Sequence, residues 1–234
     1  MIILRKDRGT FQHKFTQYGE SNLGNKLEII LSNLPQTKIF ILAGIHGDEP
    51  ESIVLLSEAL RSIPSNELQN PVILCANPDG TLRGTRANAN GVDLNRNFPV
   101  DNWTENPVFY RTKIGEPQDI ELRTGNEPGS EPETKAILKI INEIKPESII
   151  SFHSALDCIE DPNNTALGQW ISSETGIPLV DDVGYPTPGS FGTWAKENSI
   201  PLITFEVPIK PLTQMITNYV PTLIKLLRNN HLLD

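Results

Sequence analysis

One stretch, ILAGIHGDEPE at residues 41–51, constrains the fold of this chain more than any other. Residues 38–43 are β-branched, aromatic and aliphatic and predict a buried strand, and the apolar spacing from Pro50 onward predicts an amphipathic helix. His46 and Glu49 therefore lie on the turn between them, at the carboxyl end of a sheet, where open α/β folds bind ligands. Imidazole and carboxylate are zinc ligands. A polar turn whose acidic side chains cap the helix explains the same pattern.

Other buried strands end at polar residues in the same way. Apolar patterns predict strands at 27–31, 38–43, 71–76, 147–152 and 201–205 and helices at 50–62, 130–144, 165–175, 191–198 and 211–229. Three of these strands lead to Asn77, His153 and Glu206, and parallel strands bring such ends to one rim of a sheet. The sequence thus predicts an α/β fold, a single domain over residues 1–234 with a central mixed, mostly parallel twisted sheet flanked by helices.

The composition argues against a nucleic-acid or membrane partner and against a disulfide framework, and it indicates a cellular location. With 234 residues, of which 38% are hydrophobic, the chain can bury a core without staples. Its formal net charge of −9 gives no reason to expect a nucleic acid or an anionic membrane as partner. Cys75 and Cys158 lack the spacing of a disulfide framework or metal motif. The chain has no apolar signal segment or membrane-length run, so we expect a cytoplasmic protein. Nothing indicates its oligomeric state.

Two irregular stretches carry further expectations. Residues 81–99 are dense in Asn, Arg and Gly and predict a loop whose arginines and Asn95 suit carboxylate binding, although a solvated basic loop would have the same composition. Residues 101–132 exceed usual loop lengths and predict either a surface excursion or a functional rim. Residues 1–26 predict an irregular or edge segment, in which we expect His13 to be a surface residue.

The residues at the strand ends can be assembled into a hydrolytic site. His46, Glu49 and His153 would give zinc three protein ligands and leave its fourth position for water, the arrangement of a catalytic site. Glu206 follows an apolar strand, and partial desolvation there should raise its pKa and suit it to proton transfer. An arginine beside the metal could stabilise the oxyanion of the tetrahedral intermediate.

This set of residues resembles the zinc carboxypeptidase family, and the match runs in family order from about residue 38 to 207. The resemblance implies that His46, Glu49 and His153 bind one Zn²⁺ ion per chain, that Glu206 is the general base and acid, and that Arg86 polarises the scissile carbonyl. The motifs that carry it are His46-x-x-Glu49, the NPDG segment at 77–80, Arg86, the DLNR segment at 93–96, His153-Ser154, Tyr185 nine residues before Trp194, and Phe205-Glu206.

The resemblance also implies how a substrate is held. Asn95 and Arg96 would bind the substrate's terminal carboxylate, and Tyr185 would close over it. Gly192, two residues before Trp194, is the position that floors the side-chain pocket, and its lack of a side chain would leave that pocket deep.

Within the family, the GIHGDEPES and GYPTPGSFGTW segments resemble the murein peptide amidase group. Those enzymes act inside bacteria on peptides released from the cell wall and cut between γ-D-glutamate and meso-diaminopimelate during recycling. The resemblance implies a small murein peptide as substrate, and a deep pocket would admit its diaminopimelate side chain. Four acidic residues are candidates for polar walls of that pocket: Asp157, Glu160, Asp181 and Asp182.

Two alternatives stay open. The aspartoacylase and succinylglutamate desuccinylase group shares an H-x-x-E pair and a DLNR-like segment and would cleave an N-acyl amino acid. The NPDG turn, the Tyr185 loop and the long interval between His153 and Glu206 favour the peptidase. The second alternative is a non-catalytic module that binds murein peptides, which the presence of every expected zinc ligand and of the expected base disfavours.

Overall fold

The computed structural model describes residues 2–111 and 119–230. The strands are β1 (Phe15–Glu20), β2 (Lys26–Ile30), β3 (Ile39–Ala43), β4 (Val72–Ile73), β5 (Val108–Arg111), β6 (Asp119–Leu122), β7 (Ser148–Ser154), β8 (Cys158–Glu160), β9 (Leu179–Val180) and β10 (Leu202–Val207). The α-helices are α1 (Pro50–Arg61), α2 (Pro78–Thr81), α3 (Pro132–Ile144), α4 (Ala166–Thr175), α5 (Phe191–Glu197) and α6 (Leu212–Leu227). Within these residues, no helix combines the length and the apolar character needed to cross a membrane.

The main sheet has eight strands in the order β1-β2-β4-β3-β7-β10-β8-β9. Its four central strands, β4, β3, β7 and β10, run parallel. An antiparallel hairpin of β1 and β2 extends one side, and β8 pairs antiparallel with β10 on the other. The sheet is therefore mixed and mostly parallel, which confirms the predicted fold class.

The central strands are buried on both faces because helices cover both. All five residues of β3 are buried. Ile41 and Ala43 belong to the core that contains α1, α4 and α6, whereas Phe40 and Leu42 belong to the core that contains α3 and α5. Side chains alternate between the faces of a strand, so a continuous apolar run suits a strand between two helical layers.

Register aligns the strand ends that carry polar residues. Ala43 of β3 pairs with Phe152 of β7, and the next residue of β7, His153, pairs with Glu206 of β10. The carboxyl ends of three neighbouring strands therefore lie side by side, as the sequence predicted.

The amino-terminal segment differs from its prediction in one respect. Residues 15–20 form the edge strand β1, but His13 is buried, and one of its ring nitrogens, Nε2, lies 2.8 Å from the Leu60 carbonyl oxygen. Expecting His13 at the surface was therefore wrong. The physical reason is that Phe11 and Phe15, which stack at 5.1 Å, pack against the hydrophobic core and draw the residues between them inward.

Several short strands have no counterpart in the prediction. The region 101–132 contains β5 and β6, which pair with each other, and its residues 112–118 lie outside the described residues. Strands β8 and β9 were also missed, and β4 is only two residues long, although predicted at 71–76. Beyond β4 the chain still follows β3, because the Ala76 amide donates to the Ala43 carbonyl at 2.9 Å. Cys75 and Cys158 are free thiols.

Candidate metal centre and substrate cleft

Three buried side chains meet at the carboxyl ends of β3 and β7. His46, Glu49 and His153 each offer a ligand atom, and these atoms lie within 4.8 Å of one another. Nδ1 of His46 is 2.8 Å from one Glu49 oxygen and Nδ1 of His153 is 2.9 Å from the other, while the two Nδ1 atoms are 3.2 Å apart. The structure thus brings together the three residues predicted as zinc ligands.

The turn that presents His46 and Glu49 requires a glycine between them. A Cβ atom on Gly47 would lie 2.2 Å from the Gly80 carbonyl carbon and 2.5 Å from the Thr85 oxygen, so no side chain fits. The side-chain amide of Asn77 links the segments that meet at Gly47, because it donates to the Ile45 carbonyl oxygen at 3.2 Å and to the Arg86 carbonyl oxygen at 3.3 Å. The polar strand end at Asn77 therefore supports the backbone of the site.

The second nitrogen of each imidazole has its own partner. Nε2 of His46 lies 3.2 Å from Asp93 Oδ1, and Nε2 of His153 lies 2.9 Å from the Ser151 hydroxyl. If each Nε2 carries the proton and donates, the lone pairs of both Nδ1 atoms converge beside the Glu49 carboxylate. Such outer partners orient imidazoles that bind metals. The donor set and its orientation therefore fit a zinc ion.

Electrostatics at these residues also fits a bound cation. Burial and Arg86 oppose protonation of His46, yet Glu49 and Asp93 outweigh them and raise its pKa to about 9. Burial alone would raise the pKa of Glu49, but the adjacent imidazoles hold it well below its usual value. The group thus favours positive charge at the point where the two imidazoles meet.

Glu206 lies beside the metal group, at the end of β10. It is buried and accepts a hydrogen bond of 3.3 Å from the Leu156 amide. Burial raises its pKa, and the negative charge of Glu49 adds to this effect. The sequence predicted this direction for the pKa of Glu206.

Arg86 reaches the same centre from the polar loop. Its Nη1 donates to Glu49 at 3.0 Å, and its Nε donates to Asp93 at 3.2 Å. The guanidinium carbon lies 4.6 Å from the centre of the Tyr110 ring. Sequence reasoning named Asp93 only as part of the DLNR segment and assigned no role to Asp93, Ser151 or Tyr110. The partners of Asp93 and Tyr110 are distant in the sequence, whereas Ser151 lies two residues before His153 on the same face of β7, a spacing that could have indicated it.

The predicted carboxylate-binding residues lie next to each other. Arg96 is buried, and its Nη1 donates to the Asn95 carbonyl at 2.6 Å. The side-chain oxygen of Asn95 accepts from the Phe191 amide at 2.8 Å, which leaves its NH₂ group as the free donor end. Tyr185 is 51% exposed at the edge of the cleft.

A cavity of about 1190 Å³ opens over the metal group. Glu49, Arg86, Arg96, Tyr185 and Glu206 line it, and β5 and β6 form another wall. Within the region 101–132, the described strands β5 and β6 therefore form part of the rim of the cavity. Gly192 does not line this cavity, and neither do the four acidic residues considered for the pocket wall, Asp157, Glu160, Asp181 and Asp182.

Comparison with known proteins agrees with this geometry. The family model described as zinc carboxypeptidase matches residues 12–166. Murein peptide amidase A of Escherichia coli (strain K12) is 45% identical over 226 residues, which cover 96% of this chain and 93% of that protein. Murein peptide amidase A of Vibrio campbellii (strain ATCC BAA-1116) is 42% identical over 231 residues, which cover 98% of this chain and 93% of that protein.

A solved structure extends the similarity to three dimensions. The crystal structure of murein-tripeptide amidase MpaA from Escherichia coli O157 superposes with a TM-score of 0.93 at 44% identity, covering 97% of each chain. Its family uses zinc, and the cluster of His46, Glu49 and His153 could hold such an ion. The fold, the metal group and these relatives lead to one conclusion: this chain belongs to the zinc carboxypeptidase family.

Proposed function

We propose that this chain is a zinc-dependent amidase that hydrolyses the bond between γ-D-glutamate and meso-diaminopimelate in free murein peptides. The observation that carries the proposal is the 45% identity, over 96% of the chain, to a protein named murein peptide amidase A. Its substrate would be a small peptide released from the cell wall, so the proposed location is the cytoplasm and the proposed role is cell-wall recycling.

The proposed chemistry follows from the groups around the cleft. His46, Glu49 and His153 would hold zinc, which supplies Lewis acidity for hydrolysis when bound. Glu206 would accept a proton from the attacking water and deliver it to the amine of the leaving diaminopimelate, so that one proton passes from water to product. Its burial and raised pKa suit a group that must hold a proton for part of the cycle.

Arg86 and the neighbouring loop would handle the charges of the substrate. The guanidinium contacts with Glu49 and Asp93 use Nη1 and Nε, so Nη2 is left to donate to the scissile carbonyl. Arg96 and the Asn95 NH₂ group would bind the terminal carboxylate, and Tyr185 at the rim would cover it. Gly192 stays a predicted pocket position.

Substrate comparison tests the proposal directly. Zinc-loaded protein should release free diaminopimelate from L-Ala-γ-D-Glu-meso-diaminopimelate, measured by chromatography of the derivatised amine. Glu206→Gln should bind zinc like the parent and lose turnover. Hydrolysis of N-acetylaspartate or succinylglutamate with no release from the tripeptide would contradict the proposal in favour of a deacylase. Binding of the tripeptide by zinc-loaded protein without any turnover would favour a binding module.

A further inference from the structure

Strand β5 places one aromatic ring against the arginine of the site. Along β5, Val108 and Tyr110 are partly buried, whereas Phe109 and Arg111 are exposed, and all four residues line the cavity. The Tyr110 ring lies over the guanidinium of Arg86, with 4.6 Å between the Arg86 Cζ atom and the ring centroid. An aromatic face at this distance attracts a cation, more strongly when both groups are shielded from water.

The Tyr110 side chain is itself held by a second polar contact. Its hydroxyl interacts with the Asp48 carboxyl, and burial together with the Asp48 charge raises the pKa of Tyr110 to about 12. The hydroxyl thus stays protonated at neutral pH and can act as a donor. Asp48 is the residue between Gly47 and Glu49, so this contact joins the rim strand to the turn that carries the metal ligands.

The backbone next to the hairpin is tied to the same centre. Beyond β6, the Arg123 amide donates to the Gly91 carbonyl at 2.9 Å, and the Asp93 amide donates to the Arg123 carbonyl at 2.9 Å. Asp93 is the residue that accepts from Arg86 Nε. The segment that follows the Tyr110 hairpin and the loop that carries Asp93 are therefore linked by hydrogen bonds.

We propose that Tyr110 is a positioning residue for Arg86: its ring covers one face of the guanidinium and its hydroxyl fixes the ring against Asp48. Glu49 and Asp93 accept from two nitrogens of the guanidinium, and the Tyr110 ring lies over one of its faces. By limiting the tilt of the guanidinium, the ring would keep the remaining nitrogen, Nη2, available to the substrate. The inference rests on the proposed role of Arg86 at the scissile carbonyl.

Three variants separate the ring from the hydroxyl. Tyr110→Leu removes both contacts and should lower kcat about 10-fold with little change in KM, because an arginine that acts on developing charge contributes mainly to the transition state. Tyr110→Phe keeps the ring and should recover most of that loss. Glu121→Ala changes an exposed residue of β6 that does not line the cavity and should leave kcat unchanged. Equal losses in Tyr110→Leu and Glu121→Ala would mean that any change in the hairpin lowers activity.

A double-mutant cycle tests whether Tyr110 acts through Arg86. Adding Tyr110→Leu to Arg86→Gln should cost no further activity, because the ring then has no guanidinium to position. A further 10-fold loss in that background would overturn the proposal. Zinc content and thermal melting of each variant show whether a loss reflects folding or metal binding instead.

A readout independent of turnover keeps the inference distinct from the proposed function. The NMR signal of Arg86 Nε–H, assigned by its loss in Arg86→Gln, should carry a ring-current shift that disappears in Tyr110→Leu and persists in Tyr110→Phe. If the parent protein fails to release diaminopimelate, the proposed function is wrong, yet this measurement still decides whether the ring positions Arg86. A signal that does not move in Tyr110→Leu would refute the stacking contact.

Discussion

Replacement of Asp93 should separate metal binding from the action of Arg86, because the two carboxylate oxygens have different partners. Oδ1 lies 3.2 Å from His46 Nε2 and accepts from the Asn95 amide at 2.9 Å, whereas Oδ2 accepts from Arg86 Nε at 3.2 Å. In Asp93→Asn, the side-chain amide has one oxygen and one NH₂ group and must choose between two orientations. With its oxygen at the position of Oδ1 it accepts from two donors, whereas with its oxygen at the position of Oδ2 it accepts from one. The NH₂ group should therefore face Arg86.

The size of each effect follows from this allocation. Loss of a hydrogen bond to a charged group costs about 1.5–3 kcal/mol, which corresponds to a fall of roughly 10–100-fold in kcat/KM through Arg86. Zinc affinity should change much less, because His46 keeps an acceptor for its Nε2 proton. Asp93→Ala removes both acceptors, and loss of an outer partner of a metal ligand typically weakens metal binding by about 10–100-fold.

Two measurements on the same variants separate the effect on zinc binding from the effect on Arg86. Competition with a chelator yields the zinc Kd, and release of diaminopimelate by zinc-saturated enzyme yields kcat/KM. Ser151→Ala is the matched control, since it removes the partner of His153 Nε2 without touching Arg86. It should weaken zinc binding and leave the rate per bound zinc intact. If Asp93→Asn weakens zinc binding as much as Asp93→Ala and is fully active when saturated with zinc, then the amide oxygen faces Arg86 and the expected orientation is wrong.

Two further predictions concern the stability of the metal-free protein. Burial raises the pKa of Glu206 in the folded protein. Above this raised pKa, the buried charge of Glu206 destabilises the folded state, and the destabilisation disappears as the pH falls to the ordinary pKa of glutamate in the unfolded chain. Glu206→Gln should therefore raise Tm at pH 8, and the gain should shrink at pH 4; a gain of the same size at both values would contradict this sign. Gly47→Ala should cost about 1–3 kcal/mol or more in thermal melts, because its Cβ would overlap the backbone of Gly80. Gly9→Ala, whose Cβ would have no atom within 4 Å, should leave Tm unchanged, and equal melting of the two variants would refute the packing argument.

The metal group could be predicted from the sequence because it depends on local pattern and sheet direction alone. His46 and Glu49 lie on a turn between an apolar strand and an amphipathic helix, and both elements are evident from spacing. His153 and Glu206 end two further apolar runs that prove to be parallel and in register. Once parallel strands are assumed, their carboxyl ends must converge on one rim.

The roles of Asp93 and Tyr110 beside that group could not be predicted, since their partners are distant in the chain. Asp93 is 47 residues from His46, and no periodicity marks that pairing. Tyr110 lies in a four-residue strand within a segment rich in polar and turn-forming residues. Pocket depth is also a property of three-dimensional packing. Gly192 was assigned to the side-chain pocket by resemblance and the four acidic residues by the charge of the expected side chain, and none of them lines the cavity.

Three buried carboxylates at the site differ in the direction of their pKa shifts, and this difference indicates which of them exchanges protons. The imidazoles of His46 and His153 hold the pKa of Glu49 well below its ordinary range, and Arg86 together with His46 does the same for Asp93, so both carboxylates stay charged. Neither can hold a proton during turnover near neutral pH. For Glu206, burial raises the pKa more than the nearby imidazoles of His153 and His46 lower it, so the net pKa is raised. When the surroundings separate the pKa values of neighbouring acids in this way, the acid with the raised pKa is the one suited to exchange protons. This difference in charge environment supports Glu206, rather than Glu49 or Asp93, as the group that carries the proton.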